Sequence, residues 1–250
     1  MCSPKPRSGQ THRSAPTEGG GIRRREAMKR KAEERKEALL LHDRSFFERG
    51  FGTLAGVDEA GRGPLAGPVV ASAVIVRDFS FQCPIDDSKK MTARLRAAAY
   101  EEIREKSWVG VGVVDHETID RVNIYQATLM AMEEAIKNLG ETPDAVLVDG
   151  GHGPDLPFVW FPIVNGDALS FSIACASIAA KVTRDRMMEQ YDALYPEYGF
   201  KRHKGYGTSE HMRALKKHGP CRIHRRSFEP LKGMSSTGVM DGGYGTPFNH

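Results

Sequence analysis

The sequence predicts an α/β or α+β layered domain, on three observations. Nearly continuous apolar runs, such as residues 69–76 and 145–148, have the length and content of strands inside a covered sheet. Longer stretches of helix formers lie between them. Acidic residues stand at the ends of the apolar runs rather than within them, as in Val-Asp58-Glu59 and Val148-Asp149.

Each element has its own signal. Residues 1–21 hold Pro, Ser, Thr and Gly without periodicity and end in Gly19-Gly20-Gly21, the composition of a disordered leader. Residues 22–41, rich in Arg, Lys, Glu and Ala, predict a solvated helix, readable as a basic nucleic-acid arm or as a solubilising leader. Leu40, Leu41, Phe46 and Phe47 are the first apolar anchors, docking a short helix where the globular part begins near residue 45. Strands follow at 53–58, 69–76 and 108–114, then a helix from 118 to about 139 that Gly140 stops. A short buried strand, 145–148, ends in Asp149. Residues 158–164 read as another strand, with Pro162 marking an edge or an irregular end. A helix from 169 or 170 to about 194 opens with Ala174, Ala176, Ser177, Ala179 and Ala180, small enough to lie close to a sheet or a site. Beyond Pro196 the chain is basic and helical in patches, and Thr208 caps a helix through His218 that Gly219-Pro220 ends. The expected organisation is a basic leader (1–44), a domain (45–232) that includes a helical C-terminal segment (196–232), and a flexible Gly-rich tail (233–250).

Composition excludes several classes. With 40% hydrophobic and 27% charged residues, the chain is of ordinary globular type. Its apolar runs are too short to span a bilayer and its start lacks a secretory apolar block, so a cytoplasmic location is the default expectation. Cys2, Cys83, Cys175 and Cys221 are widely spaced, which favours reduced thiols. Cys221 and His224 with His211 and His218 match no familiar zinc spacing. Charge is divided along the chain: 13 Lys+Arg against 7 Asp+Glu in residues 1–50 (+6), 13 against 22 in 51–200 (−9), and 10 against 3 in 201–250 (+7). An acidic centre between basic ends suits an enzyme that gathers cations with carboxylates and a polyanion with lysine and arginine.

The chain is organised around the stretch Gly-Val-Asp-Glu-Ala-Gly-Arg-Gly-Pro-Leu-Ala-Gly-Pro-Val-Val, residues 56–70. Asp58 and Glu59 close an apolar run, and Gly61, Gly63 and Gly67 free the backbone beyond it to approach a ligand. Neighbouring strand residues face opposite ways, so this pair converges on one ion only where the strand ends or bends. Asp149 repeats the pattern, and Asp167 follows a glycine and leads into the small-residue helix. Hard cations take such oxygen ligands, and a pair of them can activate water and stabilise a leaving alkoxide. Taken singly, each acid could equally be a turn or cap residue, Asp167 most of all. Asp185, between Arg184 and Arg186, reads as an ion-pair partner.

The same stretch resembles the opening motif of bacterial ribonuclease HII, the type 2 ribonuclease H family. The resemblance continues through Asp87-Ser88-Lys89-Lys90, residues 119–124 (Ile-Asp-Arg-Val-Asn-Ile), Val148-Asp149-Gly150, Asn165-Gly166-Asp167, residues 176–182 (Ala-Ser-Ile-Ala-Ala-Lys-Val), residues 204–208 (Lys-Gly-Tyr-Gly-Thr) and residues 224–228 (His-Arg-Arg-Ser-Phe). It implies a ribonuclease H-like fold, a central mixed sheet packed by helices. It also implies a monomeric endonuclease, dependent on Mg²⁺ or Mn²⁺, that cuts the RNA strand of RNA–DNA hybrids and incises 5′ of single ribonucleotides in duplex DNA. Asp58, Glu59, Asp149 and Asp167 match the family's catalytic, metal-holding acids. Gly61, Arg62, Gly63 and Tyr206 match its sensor of the RNA-to-DNA junction, and Lys89, Lys90, Asn123, Ser177 and Lys181 are its expected phosphate contacts. Arg62 separates the chain from ribonuclease HIII, in which that arginine is replaced. Cys175 departs from the pattern, standing where the family commonly has alanine. A phosphatase acting on small esters would have little use for the basic C-terminal run, and a non-catalytic hybrid binder would lack one of the acids.

Overall fold

A computed structural model describes residues 18–155 and 157–232, with side chains from residue 26 onward. The strongest β signals pair first. The central strand β1 (Leu54–Ala60) runs antiparallel to β2 (Val69–Val76), which pairs antiparallel with β3 (Ser107–Val114). On its other side β1 runs parallel to β4 (Ala145–Asp149), and β4 to β5 (Val159–Ile163), so the mixed sheet has the order β3-β2-β1-β4-β5. Pro162 sits on β5, the edge strand, as its missing N–H requires.

Helices cover both faces. One face carries α1 (Glu18–Glu48), α2 (Ala93–Lys106) and α5 (Phe171–Leu194), burying Leu39, Val74, Ile103, Phe171 and Ile178 together. The other carries α3 (His116–Val122) and α4 (Ile124–Lys137), whose Ile119, Ala131 and Met132 pack on Val57, Val69 and Ala71. The small residues of α5 do what their size allows: the helix backbone passes so close to β1 that a Cβ on Gly56 would lie 2.1 Å from the Ser172 carbonyl carbon. A separate apolar cluster holds the C-terminal segment, with α6 (Phe200–His203) and α7 (Ser209–His218), through Leu65, Met188, Tyr198, Phe200, Leu215 and Ile223.

Several expectations are corrected. The leader does not stay disordered to residue 21: α1 starts at Glu18 and runs unbroken to Glu48, because propagation from a favourable segment outweighs roughly 1 kcal/mol per glycine. Residues 22–41 and the docking helix are thus one element. Within it Leu41 is exposed, and Leu39 joins Leu40 and Phe46 on the buried face, which also carries Asp43. Asp43 accepts from the Ser172 N–H at 2.9 Å and its hydroxyl at 2.8 Å, fastening α1 to the start of α5. The expected helix 118–139 is two helices, broken at Asn123, whose φ of 73° and side-chain bonds to the Tyr125 and Gln126 N–H groups restart the chain as α4. Helix α2, which starts on a Thr92 cap, is an addition to the expected elements. The predicted tail and residues 1–17 lie outside the described residues.

Candidate active site

Strand register delivers the acids. Val57 of β1 pairs with Val148 of β4, so Asp58 and Asp149, one residue further along each parallel strand, arrive side by side at the same sheet end. Asp167 reaches that end from the 3₁₀ turn Gly166–Ala168 after β5, where the Gly166 N–H donates to Asp149 Oδ1 at 2.6 Å. The bend falls on a glycine just beyond the pair: β1 stays paired with β2 through Ala60, so Asp58 and Glu59 both sit in regular strand, and the chain turns at Gly61, with φ of 97°.

The four acids share one electrostatic neighbourhood. Asp58 is only 4% exposed. Burial, then the Glu59 and Asp149 charges, push its carboxyl well above the ordinary range, while Ser177 and the Glu59 N–H pull the other way. Burial also raises Glu59, which Arg62 counteracts from 3.3 Å. Burial raises Asp149 as well, with Asp167 adding to the rise and the Gly166 N–H and Lys89 opposing it. Burial lowers Lys89, but Asp167 (Nζ to Oδ2 3.6 Å), Asp58, Asp87 and Asp149 outweigh it and hold the ammonium above its usual value. Among the described residues no three His, Cys, Asp or Glu side chains close into a ready-made cage for one ion. The donor set nonetheless fits Mg²⁺ or Mn²⁺, being all carboxylate oxygen around a buried, mutually repelling cluster, and such ions keep several waters and need few protein ligands.

Beside the acids lies an open cavity of about 210 Å³. Of the residues expected to bind substrate, Gly61, Arg62, Gly63, Lys89, Ser177, Lys181 and Tyr206 line it, together with Glu59. Lys90 and Asn123 do not: Lys90 pairs with Asp87 at 3.3 Å, and the Asn123 side-chain Oδ1 is taken up in capping α4. Lys181 is bonded to Asp185 at 2.6 Å, and burial lowers its pKa. Asp185 is therefore an ion-pair partner, but of Lys181 and, at 4.0 Å, Arg96, rather than of its chain neighbours. A second cleft, of about 300 Å³, is lined by Phe47, Leu54, Ile75, Trp108 and others at the opposite end of β1 and holds no acid.

Known proteins share this sequence and geometry. A family model described as Ribonuclease HII matches residues 55–231. The chain belongs to the ribonuclease HII family. It is 54% identical over 186 residues to a ribonuclease HII of Geobacter sulfurreducens (74% of this chain, 85% of the relative). It is 50% identical over 200 residues to one from Clostridioides difficile (80% and 78%). Among solved structures, ribonuclease H2 of Pyrococcus horikoshii matches with a TM-score of 0.60 and 26% identity, over 72% of this chain and 95% of that one. The protein is therefore a nuclease, a hydrolase acting on RNA, on a ribonuclease H-like α/β fold. No described helix is long and apolar enough to cross a membrane.

The geometry also brings in site residues that no single-residue signal marks. Ser88 is buried with its Oγ 2.9 Å from Ser177 Oγ, and it lines the cavity. It sat in plain view in Asp87-Ser88-Lys89-Lys90. Arg184 also lines the cavity yet is 1% exposed, and no sequence signal sets it apart from the exposed Arg186 two residues on.

Proposed function

We propose that this ribonuclease HII is an endonuclease that hydrolyses the RNA strand of RNA–DNA hybrids and incises 5′ of single ribonucleotides in duplex DNA. The products carry 5′-phosphate and 3′-hydroxyl ends. The observation that carries the reading is the side-by-side delivery of Asp58 and Asp149 beside a cavity lined by Glu59, Gly61, Arg62, Gly63, Lys89 and Tyr206.

Asp58, Glu59, Asp149 and Asp167 would hold two divalent cations, Mg²⁺ or Mn²⁺. When bound, such ions supply a lowered water pKa and charge neutralisation at the leaving oxygen. The chain's own residues do the rest. Ser177, held by Ser88, orients Asp58. Lys89 and Lys181 take phosphate oxygens beside the scissile bond, and Lys90 and Asn123 contact the backbone further out. Gly61, Arg62 and Gly63 read the 2′-hydroxyl with their backbone, and Tyr206, 44% exposed and lying over Gly63, stacks on the junction nucleotide. Residues 45–232 form the catalytic unit together with the end of α1, whose Leu39, Leu40 and Asp43 pack into its core; the basic segment 196–232 tracks the duplex, and the residues before them are a leader. The protein acts as a monomer in the cytoplasm, in repair of misincorporated ribonucleotides.

The test is cleavage of a DNA duplex containing one ribonucleotide, with Mg²⁺, with Mn²⁺ and with chelator. A metal-dependent cut on the 5′ side of the ribonucleotide is expected. Cutting of a long hybrid alone would remove the junction reading, and cutting of neither substrate would remove the whole proposal.

A further inference from the structure

The loop from Gly61 to Pro68 is held from behind by two buried guanidinium groups. Arg184 donates to the carbonyls of Pro68 (2.9 Å), Lys204 (3.0 Å) and Ala66 (3.1 Å). Arg225 donates to those of Gly67 (2.9 Å), Arg62 (2.9 Å) and Gly61 (2.6 Å). All six acceptors are backbone carbonyls, and the two side chains are 1% and 0% exposed. Burial pulls Arg184 down to about 10; burial and the Arg184 charge together pull Arg225 down to about 9. Burying like charges without a carboxylate partner is unfavourable, and apolar side chains could fill the same space more stably. What they could not do is fix the direction of carbonyls, which a rigid planar fork of donors does well.

That direction has a consequence on the other side of the loop. In a trans peptide the C=O and the following N–H point opposite ways. With the Gly61 and Arg62 carbonyls turned in toward Arg225, the N–H groups of Arg62 and Gly63 turn out. Neither donates to another group among the described residues, and both residues line the cavity beside Tyr206. The Arg225 N–H is itself bonded to the Leu65 carbonyl at 2.9 Å, its guanidinium lies 5.0 Å from the Phe228 ring centroid, and Asp120 grips the next two residues. The fork is thus fixed against the loop it orients.

We propose that Arg225 is a positioning residue for ribose recognition: it aims the Arg62 and Gly63 N–H groups so that they donate to a ribose 2′-hydroxyl and have nothing to meet on a deoxyribose. This rests on the proposed reading of the site as one that cuts at ribonucleotides. It predicts that Arg225 governs discrimination between the two sugars, while touching neither the substrate nor the acids.

The experiment compares wild type with Arg225→Lys, which keeps the charge but lacks the fork. In chelator, affinity is measured for two duplexes that differ only in one ribonucleotide or its deoxy counterpart. The ribo-to-deoxy affinity ratio should fall about tenfold, the worth of one or two hydrogen bonds, and single-turnover cutting at saturation should fall with it. A merely structural role would weaken both affinities together and leave the ratio at its wild-type value, and that result overturns the proposal. Should the variant fail to fold, amide NMR of the wild type decides. The Arg62 and Gly63 resonances should shift with the ribonucleotide duplex and stay near their free positions with the deoxy duplex; equal shifts overturn the assignment. If the wild type neither prefers nor cuts the ribonucleotide duplex, the parent reading has failed. If it does both and Arg225→Lys keeps the ratio, only the role of Arg225 has failed.

Discussion

Replacing Asp58 with Asn should stabilise the ion-free protein while destroying its activity. Asp58 is 4% exposed and has Glu59 and Asp149 as like-charged neighbours, so burial and repulsion both act against its ionised form. An amide of the same shape removes that charge. Relief of one poorly compensated buried group is worth about 1–3 kcal/mol, or roughly 2–12 °C in Tm for a domain of this size. The pH dependence carries a sign. Asp58, Glu59 and Asp149 all have folded-state pKa values raised above their ordinary ones. Their contribution to stability is therefore fully present below the unfolded carboxylate range, near about 4, and is lost as pH rises through the raised values. The advantage of Asp58→Asn should accordingly be small near pH 4 and largest near neutrality. Thermal unfolding in chelator at several pH values measures this, and added Mn²⁺ or Mg²⁺ should stabilise the wild type more than the variant. A variant less stable than wild type at neutral pH in chelator would refute the electrostatic reasoning, and full cutting by it would refute the role of the acid.

Three further outcomes test the neighbourhood. Ser177→Ala strands the buried Ser88 hydroxyl, a loss of about 1–3 kcal/mol in denaturant unfolding. It also removes a group that pulls Asp58 down, so the acid limb of the pH–rate profile should move to higher pH. Gly61→Ala forces a Cβ to within 2.0 Å of Arg184 Nε and 2.8 Å of the Pro68 carbonyl at φ of 97°. Left-handed strain and overpacking together cost about 2–5 kcal/mol, read as a fall in the urea midpoint. Asp120→Ala releases the N–H groups of Arg226 and Ser227, held at 2.7 and 2.9 Å. It should lower stability by about 1–3 kcal/mol and speed limited proteolysis near residues 225–227.

What could be foreseen followed from local signals. An apolar run that ends in Asp149 carries its own reason to be a strand, and Thr208 before residues 209–218 carries its own reason to cap a helix, so both stood out in the sequence. Asn123 misled because its left-handed turn interrupts a stretch whose composition is helical on both sides. Leu41 misled because one face of α1 is chosen by what it docks against, and the Asp43 bond to Ser172 turns Leu39 inward instead. Lys89 and Lys90 look alike in sequence, yet only Lys89 lines the cavity, while Lys90 folds back onto Asp87. Arg184 and Arg225 were illegible for a deeper reason: an arginine bonded wholly to carbonyls leaves no complementary residue in the sequence to betray it.

Bonding the buried arginines to carbonyls rather than to carboxylates decides how the site is built. Asp58 and Asp149 lie on one side of a short loop and the buried guanidiniums of Arg184 and Arg225 on the other, and these two sets do not pair with each other. Arg225 bonded to Asp58 or Glu59 would relieve both charges and leave nothing for a cation to bind. Because the carbonyls of residues 61–68 absorb the guanidinium donors, the acids stay available and the loop acquires a fixed shape from the same bonds. The two sides should therefore respond oppositely to neutralisation. Neutralising Asp58 relieves repulsion and stabilises the ion-free fold, whereas removing Arg184 or Arg225 strands buried carbonyls and destabilises it. Activity should fall in both cases, so in this site stability and function part company on the acidic side only.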